Sequence, residues 1–194
     1  MSGKAGLAGR AVPRPKARQL VAGRGRYLDD LRIAGMLSAA FLRSPHPHAR
    51  LLSIDTRAAG AAPGVVAVLT ARDLASVLKP WTATMPTLAA HRSVAQSALV
   101  DERALWQGQP VALVIAESAA LAEDAVALIE TQWEPLPALA SASQALADDA
   151  FILHPELGNN LLFHHAIQSP RAAAPAHVDI RRKFRFPRHT GVSL

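Results

Sequence analysis

The chain has 194 residues, 50% of them hydrophobic and only 5% aromatic, with a formal net charge of +6 and a pI near 10.7. That length allows one domain with appendages that buries roughly two-thirds of its unfolded surface, although the apolar excess is largely alanine, which adds little buried area per residue. No apolar run approaches the ~18 residues of a membrane span, residues 1–20 lack the apolar core of a secretory signal, and the absence of cysteine excludes disulfides, Fe–S ligation and thiol catalysis within the chain, so a cytoplasmic protein is expected.

Residues 1–19 carry Pro13, Pro15 and several basic side chains without any period, which predicts an extended arm. The turn Gly23-Arg24-Gly25-Arg26-Tyr27 follows, ahead of Asp29-Asp30. It lacks the spacing and the strand–helix flanks of a phosphate-binding loop, so it reads as a structural turn. Met36–Leu42 and Arg50–Ile54 are candidate strands. The connector between them, Ser44-Pro45-His46-Pro47-His48, is held extended by its two prolines. Asp55 or Thr56 caps a short helix to Ala62 that Pro63-Gly64 ends, Val65–Leu69 is a buried-type strand, and Thr70 caps a helical turn over 71–78. Periodicity then vanishes from Pro80 to Ser97, a long loop of the kind that serves a function or lies under a partner. Strand signal resumes near Leu99 and Leu105-Trp106.

The clearest pattern is a strand–helix–strand unit over 105–139. Val111–Ala116 is a nearly continuous apolar run suited to a strand buried on both faces. Ser118 caps a helix whose Leu121, Ala125, Leu128 and Ile129 form one stripe, and Glu134-Pro135-Leu136-Pro137 ends the unit. Ser141–Ala147 reads as a short helix, 154–160 as a turn-rich connector and Leu161–Ile167 as a strand. The Pro/Ala stretch Ser169–Ala176 breaks it. His177–Phe186 then alternates, with Val178, Ile180, Arg182, Phe184 and Phe186 on one face and His177, Asp179, Arg181, Lys183 and Arg185 on the other.

No residue set forms a convincing catalytic constellation. His46 and His48 share a side of an extended connector and His164-His165 add two more imidazoles, but no carboxylate or third ligand is placed beside either pair. Ser44 with His46, and Ser193 with His189, lack the context of an activated nucleophile. Asp29/Asp30, Asp101/Glu102, Glu123/Asp124 and Asp148/Asp149 read as caps and solvated faces. The basic clusters at 23–27 and Arg181–Arg188 reflect an arginine-rich composition, and neither nucleic acid nor membrane is expected as a partner.

Several segments resemble the N-terminal part of the molybdenum-binding large subunit of the xanthine dehydrogenase, aldehyde oxidase and carbon monoxide dehydrogenase family. They are the arm 9–14, GRGRYLDDLRIAGMLSAAFLRSPHPHARLLSID (23–55), PGVVAVLTARDL (63–74), WQGQPVALVIAESAALAEDAVALIETQWEPLPAL (106–139) and HPELGNN (154–160), in the family's order. The resemblance implies an α+β fold, the α/β hammerhead domain of mixed strands with a few helices packed on the sheet. It divides the chain into an arm (1–19), the hammerhead (20–140) and a linker with the start of the molybdopterin-binding domain (141–194), including a final strand. SPRAAAPA (169–176) stands where the family has a longer acidic helical stretch, and HTGVSL (189–194) resembles the entry to the cofactor domain. The family's catalytic and cofactor-holding residues match no position here. The implied protein is a fragment or split subunit of a molybdenum hydroxylase. Molybdopterin cytosine dinucleotide belongs to the complete enzyme, and the partners are the remaining molybdopterin-binding domain or subunit with Fe–S and flavin subunits.

Overall fold

The computed structural model describes residues 9–88 and 90–166, together with Ile180, Arg182 and Phe184. Its strands are β1 (Ser38–Arg43), β2 (Ala49–Asp55), β3 (Val65–Thr70), β4 (Trp81–Thr82), β5 (Ala95–Gln96), β6 (Arg103–Ala104), β7 (Pro110–Ala116) and β8 (Glu130–Pro135). The helices are α1 (Ala17–Val21), α2 (Arg57–Gly60), α3 (Ala71–Leu74), α4 (Ala119–Val126) and α5 (Ala142–Ala145), with 3-10 turns at Leu28–Asp30 and Pro155–Leu157. Two sheets of order β1-β7-β3 and β6-β2-β8 make the body, and β4-β5 forms a small ribbon. Every pairing among the described residues is antiparallel.

The unit over 105–139 links the two sheets. β7 is the central strand of the first, running opposite β1 from Ser38↔Ala116 to Arg43↔Pro110 and opposite β3 from Val65↔Ala116 to Thr70↔Ala112. Ser118 accepts from the Leu121 N–H at 3.3 Å and starts α4. That helix lays Ala122 and Ala125 on Ala112, Val114 and Ala116, with Ile129 and Ala59 completing the cluster. β8 then leaves for the edge of the second sheet, pairing with β2. Val111 faces a second cluster with Val100 and Ala104.

The structure corrects two details of this unit. α4 ends at Val126, so Leu128 falls beyond the helix and is exposed, and Ala122 takes its place in the stripe. β7 is not buried evenly on both faces, because α4 covers the Ala112–Val114–Ala116 side, while Leu113 and Ile115 on the other side stay half-buried.

The short elements follow their local chemistry. Asp55 accepts from the Arg57 N–H at 3.0 Å to open α2, and Gly64, at φ +74°, reverses the chain so that its carbonyl receives the Glu117 N–H at 2.9 Å. Asp73 receives both the Thr70 N–H (2.7 Å) and the Thr70 hydroxyl (2.6 Å), fixing the start of α3. α3 itself stops at Leu74, short of the expected 71–78.

Three further expectations differ. The arm is not extended throughout, since Ala17–Val21 makes one helical turn after Pro15, with Ala17 N–H bonded to Arg14 O. The loop Pro80–Ser97 contains the β4–β5 ribbon near its two ends. Residues 161–166 form no strand, because Leu162 gives its carbonyl to a single bond from Arg92 N–H rather than to a ladder, and Leu161, Leu162 and Phe163 remain exposed. Most of the alternating stretch 177–186 lies outside the described residues. Ile180, Arg182 and Phe184 within it are exposed and carry no strand assignment.

Candidate functional site

The sequence's most chemically suggestive stretch, Ser44–His48, folds as a bend pinned to the entry of β7. Ser44 is buried, its N–H donates to Gln109 O at 2.9 Å and its carbonyl receives the Gly108 N–H at 2.8 Å. Arg43 donates to Gly108 O at 3.0 Å. The Ser44 hydroxyl donates to His46 O at 2.9 Å and receives the His46 N–H at 3.1 Å, so its oxygen closes a local turn. Gln109, itself buried, accepts the Leu105 N–H on its side-chain oxygen at 2.7 Å.

The two histidines of the bend part company. His46 sets its ring edge-on to Trp133, with centroids 5.9 Å apart. His48 is buried, places Nδ1 2.6 Å from Pro137 O, and stacks on Phe151 at 5.7 Å with planes 4° apart. A carbonyl oxygen only accepts, so Nδ1 carries a proton in this bond. Nε2 is buried and has no hydrogen-bond partner among the described residues. His164 and His165 are exposed on the segment after the connector. Among the described residues no group of three or more His, Asp or Glu side chains is placed to hold a metal ion.

The carboxylates are dispersed as caps and surface groups. Asp30 receives the Tyr27 N–H at 2.9 Å, and Asp29, Asp101, Glu102, Glu123, Asp124, Asp148 and Asp149 are exposed. The Arg57 guanidinium bonded to Asp55 holds that carboxyl down at about 2, and the Thr70 hydroxyl and N–H lower Asp73. Gly23–Tyr27 turns the chain after α1, with Arg24 and Arg26 exposed and no strand–helix frame around it.

A cavity of about 450 Å³ lies between the β4–β5 ribbon and the second sheet, lined by residues that include Gln96, Glu102, Arg103, Trp106, Gln109 and His154. Two residues that sequence reasoning did not single out tie down the segment 145–162. Arg92 donates to Leu157 O at 2.6 Å and also to Leu161 O and the Asn159 side chain. Asn160 receives the Leu153 N–H at 2.9 Å and donates to Phe151 O at 2.8 Å and Ala145 O at 3.1 Å. The tight motif around Asn160 was visible as HPELGNN, but nothing local marks Arg92, whose partners lie 65 or more positions away.

Comparison with known proteins places this geometry. Residues 22–137 match the family model described as aldehyde oxidase and xanthine dehydrogenase, a/b hammerhead domain. The chain is similar to the carbon monoxide dehydrogenase large chain of Afipia carboxidovorans, 43% identical over 143 residues that cover 74% of this chain and 17% of that one. It is 37% identical to the xanthine dehydrogenase molybdenum-binding subunit of Escherichia coli O157:H7, over 73% of this chain and 19% of that one. Among solved structures, quinoline 2-oxidoreductase from Pseudomonas putida 86 superposes with a TM-score of 0.72 at 38% identity, covering 78% of this chain and 19% of that chain. The chain thus spans less than a fifth of the length of each of these relatives. With three antiparallel small sheets, short helices and a match over 22–137, the chain belongs to the aldehyde oxidase and xanthine dehydrogenase family, of which it carries the a/b hammerhead domain.

Proposed function

We infer that this chain acts as the hammerhead scaffold of a molybdenum hydroxylase large subunit, as an N-terminal fragment or a split subunit, and does no catalysis alone. The observation that carries this reading is the use made of the family-like segments. The bend at Ser44–His48 bonds to the GQPV entry at Gly108-Gln109 and to the EPLP exit at Pro137, so these segments hold one another in place. His48 Nε2 apart, the Ser44 hydroxyl, the His48 Nδ1 and the Gln109 side-chain oxygen each meet a backbone group.

The complete enzyme would use molybdopterin cytosine dinucleotide, and the 450 Å³ cavity does not fit that group. The 450 Å³ cavity brings the Asp101 and Glu102 carboxylates beside Arg103, a poor reception for a pyrophosphate, and the Gln109 side-chain oxygen is already committed to Leu105. The hydroxylation of an aldehyde, purine or similar carbon centre, or oxidation of CO, therefore falls to residues outside this unit. The working division is an arm over 1–19, the hammerhead from 20 and the approach to the cofactor domain within 141–194. The exposed Trp81 and Met85 of the Pro80–Ser97 loop, with Arg181–Arg188, are the proposed contacts to the molybdopterin-binding, Fe–S or flavin partners.

Co-expression with a molybdopterin-binding domain of the same enzyme tests the reading. The expected result is a one-to-one complex carrying stoichiometric molybdenum, with none in the chain purified alone. A chain that folds cooperatively as a monomer and ignores that domain overturns it. So does stoichiometric molybdenum in the chain alone with dye reduction by aldehydes, xanthine or CO.

A further inference from the structure

We propose that residues 136–162 form a strap fastened back onto the hammerhead by His48 and Arg92, so that the folded unit runs to Leu162 instead of ending near residue 140. The fastening begins where the chain leaves β8. Leu136 N–H donates to His48 O at 2.9 Å, and one residue later Pro137 O receives the His48 Nδ1–H at 2.6 Å. The same imidazole stacks on Phe151, 14 positions further on, with planes 4° apart. His48 therefore grips the strap at two places from inside the fold, where it is 6% exposed.

The second fastening comes from the ribbon loop. Arg92 N–H donates to Leu162 O at 2.8 Å, and its guanidinium reaches Leu157 O at 2.6 Å, Leu161 O and the Asn159 side chain. A planar guanidinium spends its fork of donors on fixed acceptors at little entropic cost, which a lysine does not reproduce. Between the two fastenings the strap is braced internally. Asn160 ties Leu153, Phe151 and Ala145 together, and the Pro155–Leu157 turn closes at Gly158 in the left-handed region. The strap's His154 and Leu162 then line the 450 Å³ cavity together with Trp106 and Gln109. The strap fixes the point and direction at which the chain departs for residue 163 onward.

Hydrogen exchange on the full 194-residue chain tests this. In the unaltered chain the Leu136 and Leu153 amides should exchange at least about tenfold more slowly than unstructured peptide. Arg92→Ala, and Arg92→Lys to a similar degree, should speed exchange across 153–162 by about tenfold while 111–116 stays unchanged. His48→Phe keeps the stack and removes the Nδ1 bond, and should do the same at Leu136 and 151–153. Long-range proton–nitrogen NMR correlations should show His48 as the Nδ1–H tautomer. If His48→Phe also loosens 111–116, the Arg92 variants and the tautomer decide. A strap that exchanges freely in the unaltered chain, exchange unaffected by Arg92→Ala, or an Nε2–H tautomer overturns the proposal.

Discussion

Gly64 lies so close to Leu121 that a Cβ added to it would sit 2.6 Å from Leu121 Cδ1, and its φ of +74° is one that other residues adopt at a cost. The contact lets the reversal before β3 tuck under α4, where Gly64 O receives the Glu117 N–H. Gly64→Ala should therefore destabilise the chain by about 1–2 kcal/mol from backbone strain alone, with the steric clash added. Adding Leu121→Ala relieves the clash and not the strain, so in a double-mutant cycle by urea denaturation the double variant should lose less stability than the sum of the two single variants.

Gln109 offers a second test of local accounting. Its side-chain oxygen is the acceptor for the Leu105 N–H at 2.7 Å, within a residue that is 5% exposed. Gln109→Leu preserves the volume but leaves that N–H unmatched, an expected loss of about 1–3 kcal/mol. Gln109→Glu keeps an acceptor while placing a charge there, and its loss should grow as pH rises above the carboxyl's ordinary range. Denaturation midpoints at two pH values read both effects.

Acid sensitivity should come in part from two helix starts. Asp55 is held at about 2 against an ordinary 3.8, chiefly by the side-chain hydrogen bond from Arg57, and Asp73 is lowered chiefly by Thr70. A carboxyl lowered by folding stabilises the fold fully above its ordinary pKa, and that stabilisation fades as pH falls through the folded value. The Asp55 contribution should accordingly fade between 3.8 and about 2. An Asp55→Asn/Asp73→Asn chain should show a shallower fall in Tm across that interval, and added salt should narrow the gap for the exposed Asp55–Arg57 pair.

Trp81, at 54% exposure on the two-residue strand β4, is the strongest anchor the proposed contact loop presents. Trp81→Ala should weaken association with the molybdopterin-binding domain by about tenfold or more. The Tm of the isolated chain should hardly move, since surface substitutions usually fall within about 0.5 kcal/mol. Titration by calorimetry or interferometry separates the two.

Much of the body was legible because its signals are local. The apolar run at 111–116, the Ser118 cap, Pro63-Gly64 and the helix start at Thr70 each lie in a short window and fold as their chemistry requires. What the sequence hid depends on distant partners. Nothing near His48 announces Pro137 or Phe151, and nothing near Arg92 announces Leu157. The helix stripe failed at Leu128 because alanine, too small to stand out in a periodic pattern, is what the close approach of α4 to β7 selects. Leu161–Ile167 looked like a strand from its apolar run, yet in residues 161–166 no ladder partner is supplied.

The alanine-lined packing between α4 and the first sheet has a thermal consequence. Among the described residues Val111 and Val114 are the largest fully buried side chains, so unfolding exposes little hydrocarbon per residue to water. The heat-capacity increment should fall below the usual ~12–15 cal/mol/K per residue, giving a stability curve that is low and flat instead of steeply domed. Such a unit softens gradually on warming and draws its sharp melting from whatever larger body it is built into.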